Sequence, residues 1–193
     1  MPETRTVLPS DVDLDESAGD VSVLKRTAAE LKRPTVRDTL AAIHQYLGTN
    51  LKKVKNPSYG HPSRGRRTSV EMLRTEAWGC SAHAQVACHL ARACGVPAIL
   101  VKSLNLAWVE KENQGDGLGA GHVYVEVLIN GNPALWEPEG GYLDEPYDPA
   151  ATITPNGYHY IYEKGGPDVL VLSHHGPQWE EETQRLFPQP RKA

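Results

Sequence analysis

The sequence predicts a mixed domain, helices first and an antiparallel sheet after them, and three observations predict it. The run CSAHAQVACHLARAC, Cys80 to Cys94, repeats Ala84, Ala87, Cys88, Ala91 and Cys94 at spacings of three and four, which marks one face of a helix. Gly95 and Pro97 end that helix, and the β-rich stretch Ala98 to Leu104 follows at once. Asn130 and Gly131 stand between an alternating run, His122 to Ile129, and a second run, Pro133 to Glu137, which is the strongest short-range hairpin signal. Small residues on the helical stripe imply close packing against a sheet.

The elements follow in order. Residues 1–20 carry six acids against one base, Arg5, with little apolar patterning, and are expected to form a mobile arm. From Val21 the pattern turns helical, with Val21, Leu24, Ala28 and Leu31 on one side, until Pro34 stops it. Thr35 or Asp38 caps a second helix running to about Leu47, with Val36, Leu40, Ile43 and Leu47 inside and Gly48 at its end. Between Leu51 and Thr68 lie Lys52, Lys53, Lys55, Arg64, Arg66 and Arg67 with no acid, broken by glycines and prolines. This reads as a basic, solvated loop. A short helix, Thr68 to Leu73 with Ser69 as its cap, leads into the cysteine segment. Beyond the first hairpin, Tyr158 to Tyr162 and Val169 to Ser173 suggest a second one turning at Gly165 and Gly166. Trp179, Leu186 and Phe187 suit a last short helix in a tail of residues 176–193. Residues 21–175 would then be the single domain expected for a chain of 193 residues.

Composition narrows the function. With 39% hydrophobic and 23% charged residues the chain reads as an ordinary folded protein. No run approaches the roughly 20 apolar residues that span a bilayer, and the start lacks an apolar secretory core, so the expectation is cytoplasmic synthesis without membrane association. A net charge of -4 argues against nucleic acid as a partner. Three cysteines within 15 residues are an odd number, which disfavours a disulfide framework, and their spacing fits no common zinc pattern. No cofactor or metal is expected. The sequence sets no oligomeric state.

The chemistry concentrates at one cysteine. Cys80 follows Gly79 at the first turn of its predicted helix, where unpaired backbone amides and the helix dipole favour a thiolate and can hold an oxyanion. Cys88 and Cys94 lie deeper on the apolar stripe and read as core. A thiolate needs a base, and the hairpin offers one. With Asn130 and Gly131 as the turn, Ile129 faces Asn132, Tyr124 faces Glu137 and His122 faces Glu139. His122 and Glu137 are then diagonal neighbours on one sheet face, close enough for the carboxylate to orient the imidazole, with Glu139 as a rival orienter.

These residues carry a resemblance. Thr35 to Pro138, through TVRDTLAAIHQYLGTNL, WGCSAHAQVACHLARACGVPAILV and GHVYVEVLINGNPALWEP, resembles the transglutaminase-like superfamily, which includes transglutaminases, peptide N-glycanases and bacterial cysteine proteases. In that family the nucleophile opens a helix as Cys80 does. A run like Leu90 to Ala98 leads into a strand, the histidine opens the next strand as in HVYVEV, and the acid precedes a proline as Glu137 does. The resemblance implies an α+β fold of transglutaminase and papain-like kind, its cysteine helix packed on an antiparallel sheet. It also implies a cysteine enzyme acting on a protein or peptide amide. Two positions depart from the pattern: His83 stands where the family usually has an acid, and Glu137 where it usually has Asp. Trp78, His83, Tyr124 and Glu139 are the candidates for lining the substrate pocket. Water as acceptor makes a protease or deamidase, and an amine makes a transglutaminase. The absence of a calcium-loop pattern favours hydrolysis. A silent binding module using the basic loop is the reading from another class.

Overall fold

In a computed structural model the described residues are 5–54, 67–77, 79–106 and 121–165. They form four α-helices, α1 (Val21–Leu31), α2 (Val36–Asn50), α3 (Ser69–Arg74) and α4 (Gly79–Ala93). The strands are β1 (Ala98–Asn105), β2 (Gly121–Ile129), β3 (Asn132–Glu137), β4 (Tyr142–Asp144) and β5 (His159–Lys164). The five strands make one antiparallel sheet in the order β4-β3-β2-β1-β5. The α+β expectation holds.

Local chemistry explains the helices. Asp20 caps α1 by accepting from the Ser22 amide, and Thr35 caps α2 by accepting from the Asp38 amide. α3 starts one residue earlier in its logic than expected, because Thr68 rather than Ser69 is the cap, completing a capping box with Glu71. α2 does not stop at Gly48. The chain continues helically to Asn50, since a glycine weakens a helix without obliging it to end there. α4 is not a one-sided stripe. Every residue from Ser81 to Arg92 is buried, because α1, α2 and α3 pack on it as well as β1 and β2.

The main core lies between these helices and one face of the sheet, where Val123, Val125, Val127, Ile129, Ala134 and Trp136 meet Ala84, Ala87, Cys88 and Ala91. The other face carries a smaller cluster of Val101, Tyr124, Leu135, Tyr147 and Ile161. The hairpin is as expected, with Ile129 facing Asn132, and both Asn130 and Gly131 take positive φ, 52° and 83°.

The N-terminal arm is a correction. Residues 5–20 pack against the domain: Val7 is buried with Ile99 and Leu128, Ala18 is wholly buried, and the Ala98 amide donates to the Asp11 carbonyl at 2.9 Å. Their acids serve local ends, as when Asp15 accepts from the Ser17 amide and Asp11 pairs with Arg5 at 2.6 Å. Acid-rich composition suggests a solvated arm, whereas Asp11, Asp15 and Asp20 are caps and ion-pair partners.

Beyond Tyr158 the expected first strand forms as β5, but it pairs with β1. The expected partner Val169 to Ser173, the helix around Trp179, Leu186 and Phe187, the glycines at 115, 117 and 119, and Lys55, Arg64 and Arg66 lie outside the described residues. The three-residue β4 was not expected. It forms because the chain reverses after Pro138 and returns along β3.

Candidate active site

α4 begins at Gly79, whose φ of 77° is a conformation that favours glycine and turns the chain into the helix with Cys80 in its first turn. Cys80 is partly exposed, whereas Cys88 and Cys94 are buried, and none of the three is in a disulfide. His122, the second residue of β2, reaches the start of α4 and shares a side-chain hydrogen bond with Cys80. Its backbone is held by β1, where the Ser103 hydroxyl donates to the His122 carbonyl at 3.0 Å. Glu137, the last residue of β3, approaches the imidazole with Oε1 at 3.4 Å from Nε2. That leaves Nδ1 as the ring nitrogen available to the thiol.

The turn after β3 fixes the carboxylate. The Glu139 amide donates to Glu137 Oε1 at 3.1 Å and the Gly140 amide donates to Oε2. Gly140 must lack a side chain there, since a Cβ would sit 2.6 Å from Glu137 Oε2 and 2.5 Å from the Tyr142 ring. α2 anchors the same turn from the other side, His44 Nδ1 lying 2.9 Å from the Pro138 carbonyl.

Electrostatics follow from these contacts. Burial alone would push the His122 imidazole down, but the hydrogen bonds to Cys80 and Glu137 and their charges outweigh it and raise its pKa to about 10. Burial pushes Glu137 up, yet His122 and the Gly140 and Glu139 amides hold it below the usual carboxylate range. Burial pushes the Cys94 thiol up to about 11, as suits a core cysteine. The arrangement joins a partly exposed thiol at a helix N-terminus, a charged imidazole and an ionised acid in one chain of contacts.

A profile of the transglutaminase-like superfamily matches residues 23–143, well over half of the chain. The chain belongs to the transglutaminase-like superfamily. Among solved structures, a provisionally named cysteine protease from Cytophaga hutchinsonii aligns with a TM-score of 0.54 at 17% identity, over 84% of this chain and 51% of that one. It shares the fold. A provisionally named protease from Parabacteroides distasonis aligns at 0.41 with 19% identity, over 65% of this chain and 28% of that one. A TGase aligns at 0.44 with 16% identity, over 77% and 39%. This chain thus spans about half or less of each of these proteins. No curated protein matches the sequence.

The superfamily match ends at Leu143, inside β4, so its span takes in Cys80, His122 and Glu137. Of the two orienting acids left open by the sequence, the structure brings only Glu137 to His122. The β2–β3 ladder closes at Val125 and Trp136, and the chain then turns, so Glu139 sits at the turn and pairs with Lys53 at 2.7 Å. Tyr124 packs edge-on to His122, ring centres 4.7 Å apart, and burial raises its hydroxyl to about 12. His83, where this superfamily usually places an acid, is buried in α4 one turn after Cys80, and among the described residues neither ring nitrogen has a hydrogen-bond partner. Burial and Lys53 depress its pKa against the pull of Glu139 and Glu137, so it stays neutral. Trp78 lies outside the described residues. Sequence reasoning missed Gly140, His44 and His159, whose contacts come from turns and non-neighbouring strands. No helix among the described residues is long and apolar enough to cross a membrane.

Proposed function

We propose that this protein is a cysteine-dependent acyl-transfer enzyme that cleaves an amide of a protein or peptide substrate through a thioester on Cys80. The observation that carries the reading is the contact chain from the first turn of α4, Cys80 to His122 to Glu137. The Cys80 thiolate adds to the amide carbonyl carbon, and the oxyanion that forms takes hydrogen bonds from amides of the first helical turn, which lack partners within the helix. His122 gives its proton to the departing nitrogen, the carbon–nitrogen bond breaks, and the thioester remains. His122, now neutral, takes a proton from water as the water adds to the thioester. Collapse of that adduct breaks the carbon–sulfur bond, leaving the Cys80 thiolate beside protonated His122, and the carboxylic acid released gives its proton to solvent. Glu137 keeps the imidazole oriented throughout. Water is favoured as acceptor because the sequence has no calcium-loop pattern of the Asp-x-Asp-x-Asp-Gly kind; an amine acceptor would make the same thioester a cross-linking intermediate.

The test is the pH dependence of iodoacetamide labelling on wild type and His122→Ala, with the modified cysteine located by peptide mass. Selective labelling of Cys80, with an apparent pKa well below the roughly 8.5 of a free thiol that rises in His122→Ala, is the expected result. Slow labelling of Cys80 with ordinary thiol behaviour, unchanged by His122→Ala, would overturn the reading and favour a silent binding module.

A further inference from the structure

The sheet places a second histidine beside the first. His159, at the start of β5, and His122, at the start of β2, flank β1 from opposite sides, His159 facing Asn105 and His122 facing Ser103. Their rings are 5.2 Å apart between centres and tilted by 33°. We propose that His159 is a positioning residue: its ring, fixed by Tyr124 and Asn105, lies against the His122 ring and keeps it turned toward Cys80. This rests on the acyl-transfer reading of Cys80 and His122.

The need for such a flank comes from the geometry of His122. Glu137 holds Nε2 at 3.4 Å, longer than the roughly 2.7–2.9 Å of a strong charge-assisted bond, so that contact alone leaves the imidazole room to pivot. Tyr124 closes one side edge-on, and His159 closes another. His159 is itself held at both nitrogens, with Nδ1 2.8 Å from the Tyr124 hydroxyl and Nε2 3.3 Å from Asn105 Nδ2. A neutral imidazole has one N–H and one lone pair, and this pair of neighbours uses both when Asn105 donates to Nε2 and Nδ1 donates to Tyr124. Tyr124 in turn bonds to Asn156 and Thr154.

The flank is also uncharged. Burial, with the His122 cation beside it and against the pull of Glu137, holds His159 down to about 4. A charged His159 would repel the imidazolium that the Cys80 thiolate needs. Among the described residues the groups facing His122 are Cys80 from α4, Glu137 from β3, Tyr124 from β2 itself and a neutral His159 from β5.

The experiment compares the pH profile of Cys80 alkylation in wild type, His159→Ala and His159→Phe, with melting temperature measured alongside. In His159→Ala the flank is gone, and the apparent pKa of Cys80 is expected to rise by about one unit, a tenfold loss of thiolate at a pH below it. His159→Phe restores a ring without its hydrogen bonds, and should return the pKa to within about 0.3 units of wild type, a twofold change in thiolate. A purely structural His159 would instead lower the melting temperature in both variants with no change in the profile. That result, or an equal rise in Ala and Phe, overturns the proposal. If His159→Ala does not fold, His159→Leu, which fills part of the space without a ring to lie against His122, takes its place and must raise the pKa measurably; no rise there overturns it too. Ordinary reactivity of Cys80 in wild type would instead strike the acyl-transfer reading itself, so the two failures are distinguishable.

Discussion

β2 carries two acid–base pairs on the same face, four residues apart, and they are built for opposite ends. His122 and Glu137 keep side chains 21% and 16% exposed, and one imidazole nitrogen is left for the thiol of Cys80. Glu126 and Lys164 are 0% and 1% exposed and enclosed by protein. Lys164 also donates to the Pro149 carbonyl at 2.8 Å and lies over the Tyr147 ring, while Glu126 accepts the Val7 amide at 2.8 Å. Similar chemistry, closed, ties the N-terminal segment and β5 to the middle of the sheet. Opened at the end of the strand, it places an imidazole beside the thiol of Cys80, where the proposed function has it move a proton. On the proposed function, what separates a strut from a site is whether the last partner of the pair lies at an accessible helix end.

The comparison breaks most sharply at Glu137. Glu137→Gln keeps the volume but removes the charge that orients and stabilises the imidazolium, so turnover should fall by up to about 10⁴-fold, the scale seen when the acid of such a triad becomes an amide. Thermal stability should change little by comparison, and amide turnover with a parallel melt checks both. If turnover survives while stability collapses, Glu137 belongs with Glu126 as a strut.

Glu126 should show the reverse. Glu126→Gln leaves the Lys164 ammonium buried without its counter-charge, which is expected to destabilise the fold by about 3–5 kcal/mol, while the alkylation profile of the protein that remains folded keeps its pKa. Chemical denaturation measures the loss. Adding Lys164→Met removes the stranded charge and should recover most of the stability, because a buried pair replaced as a whole is far less costly than a pair half broken. Failure of the double variant to recover would mean that Lys164 is held by Pro149 and Tyr147 for reasons other than its ion pair.

The two pairs were unequally legible. The juxtaposition of Cys80, His122 and Glu137 is legible because a helix end, a two-residue turn and a period of two fix it locally, and the turn needs no knowledge of the rest of the sheet. The choice between Glu137 and Glu139 could not, since it depends on where the ladder stops, and that is set by the reversal into β4. Glu126 and Lys164 were invisible for a similar reason: they meet across β1, through a pairing of β5 with β1 that no neighbouring sequence announces. The same non-local pairing hid His159. The arm misleads because charge density suggests solvation, whereas Asp11, Asp15 and Asp20 are each held by a specific donor. Helix positions survived well, their apolar period and caps being local, and only ends such as Gly48 shifted.

The smallest effect is the one that tests the open pair without breaking it. The pKa of His122 is raised to about 10, above the roughly 6.5 of an unfolded histidine, so the stability it contributes is complete below about 6.5 and is lost as pH rises toward 10. Glu137 runs the other way: its pKa is depressed, so its contribution is present above its ordinary value of 4.5 and is lost as pH falls below that. The pair therefore stabilises most between about 4.5 and 6.5. Comparing melts of wild type and His122→Gln at pH 6 and pH 10 isolates the histidine, because groups common to both chains cancel. The stability difference between the two proteins should shrink as pH rises. A constant difference across that range would mean that His122 is held by packing against Tyr124 and His159 rather than by charge, which would move the open pair toward the strut.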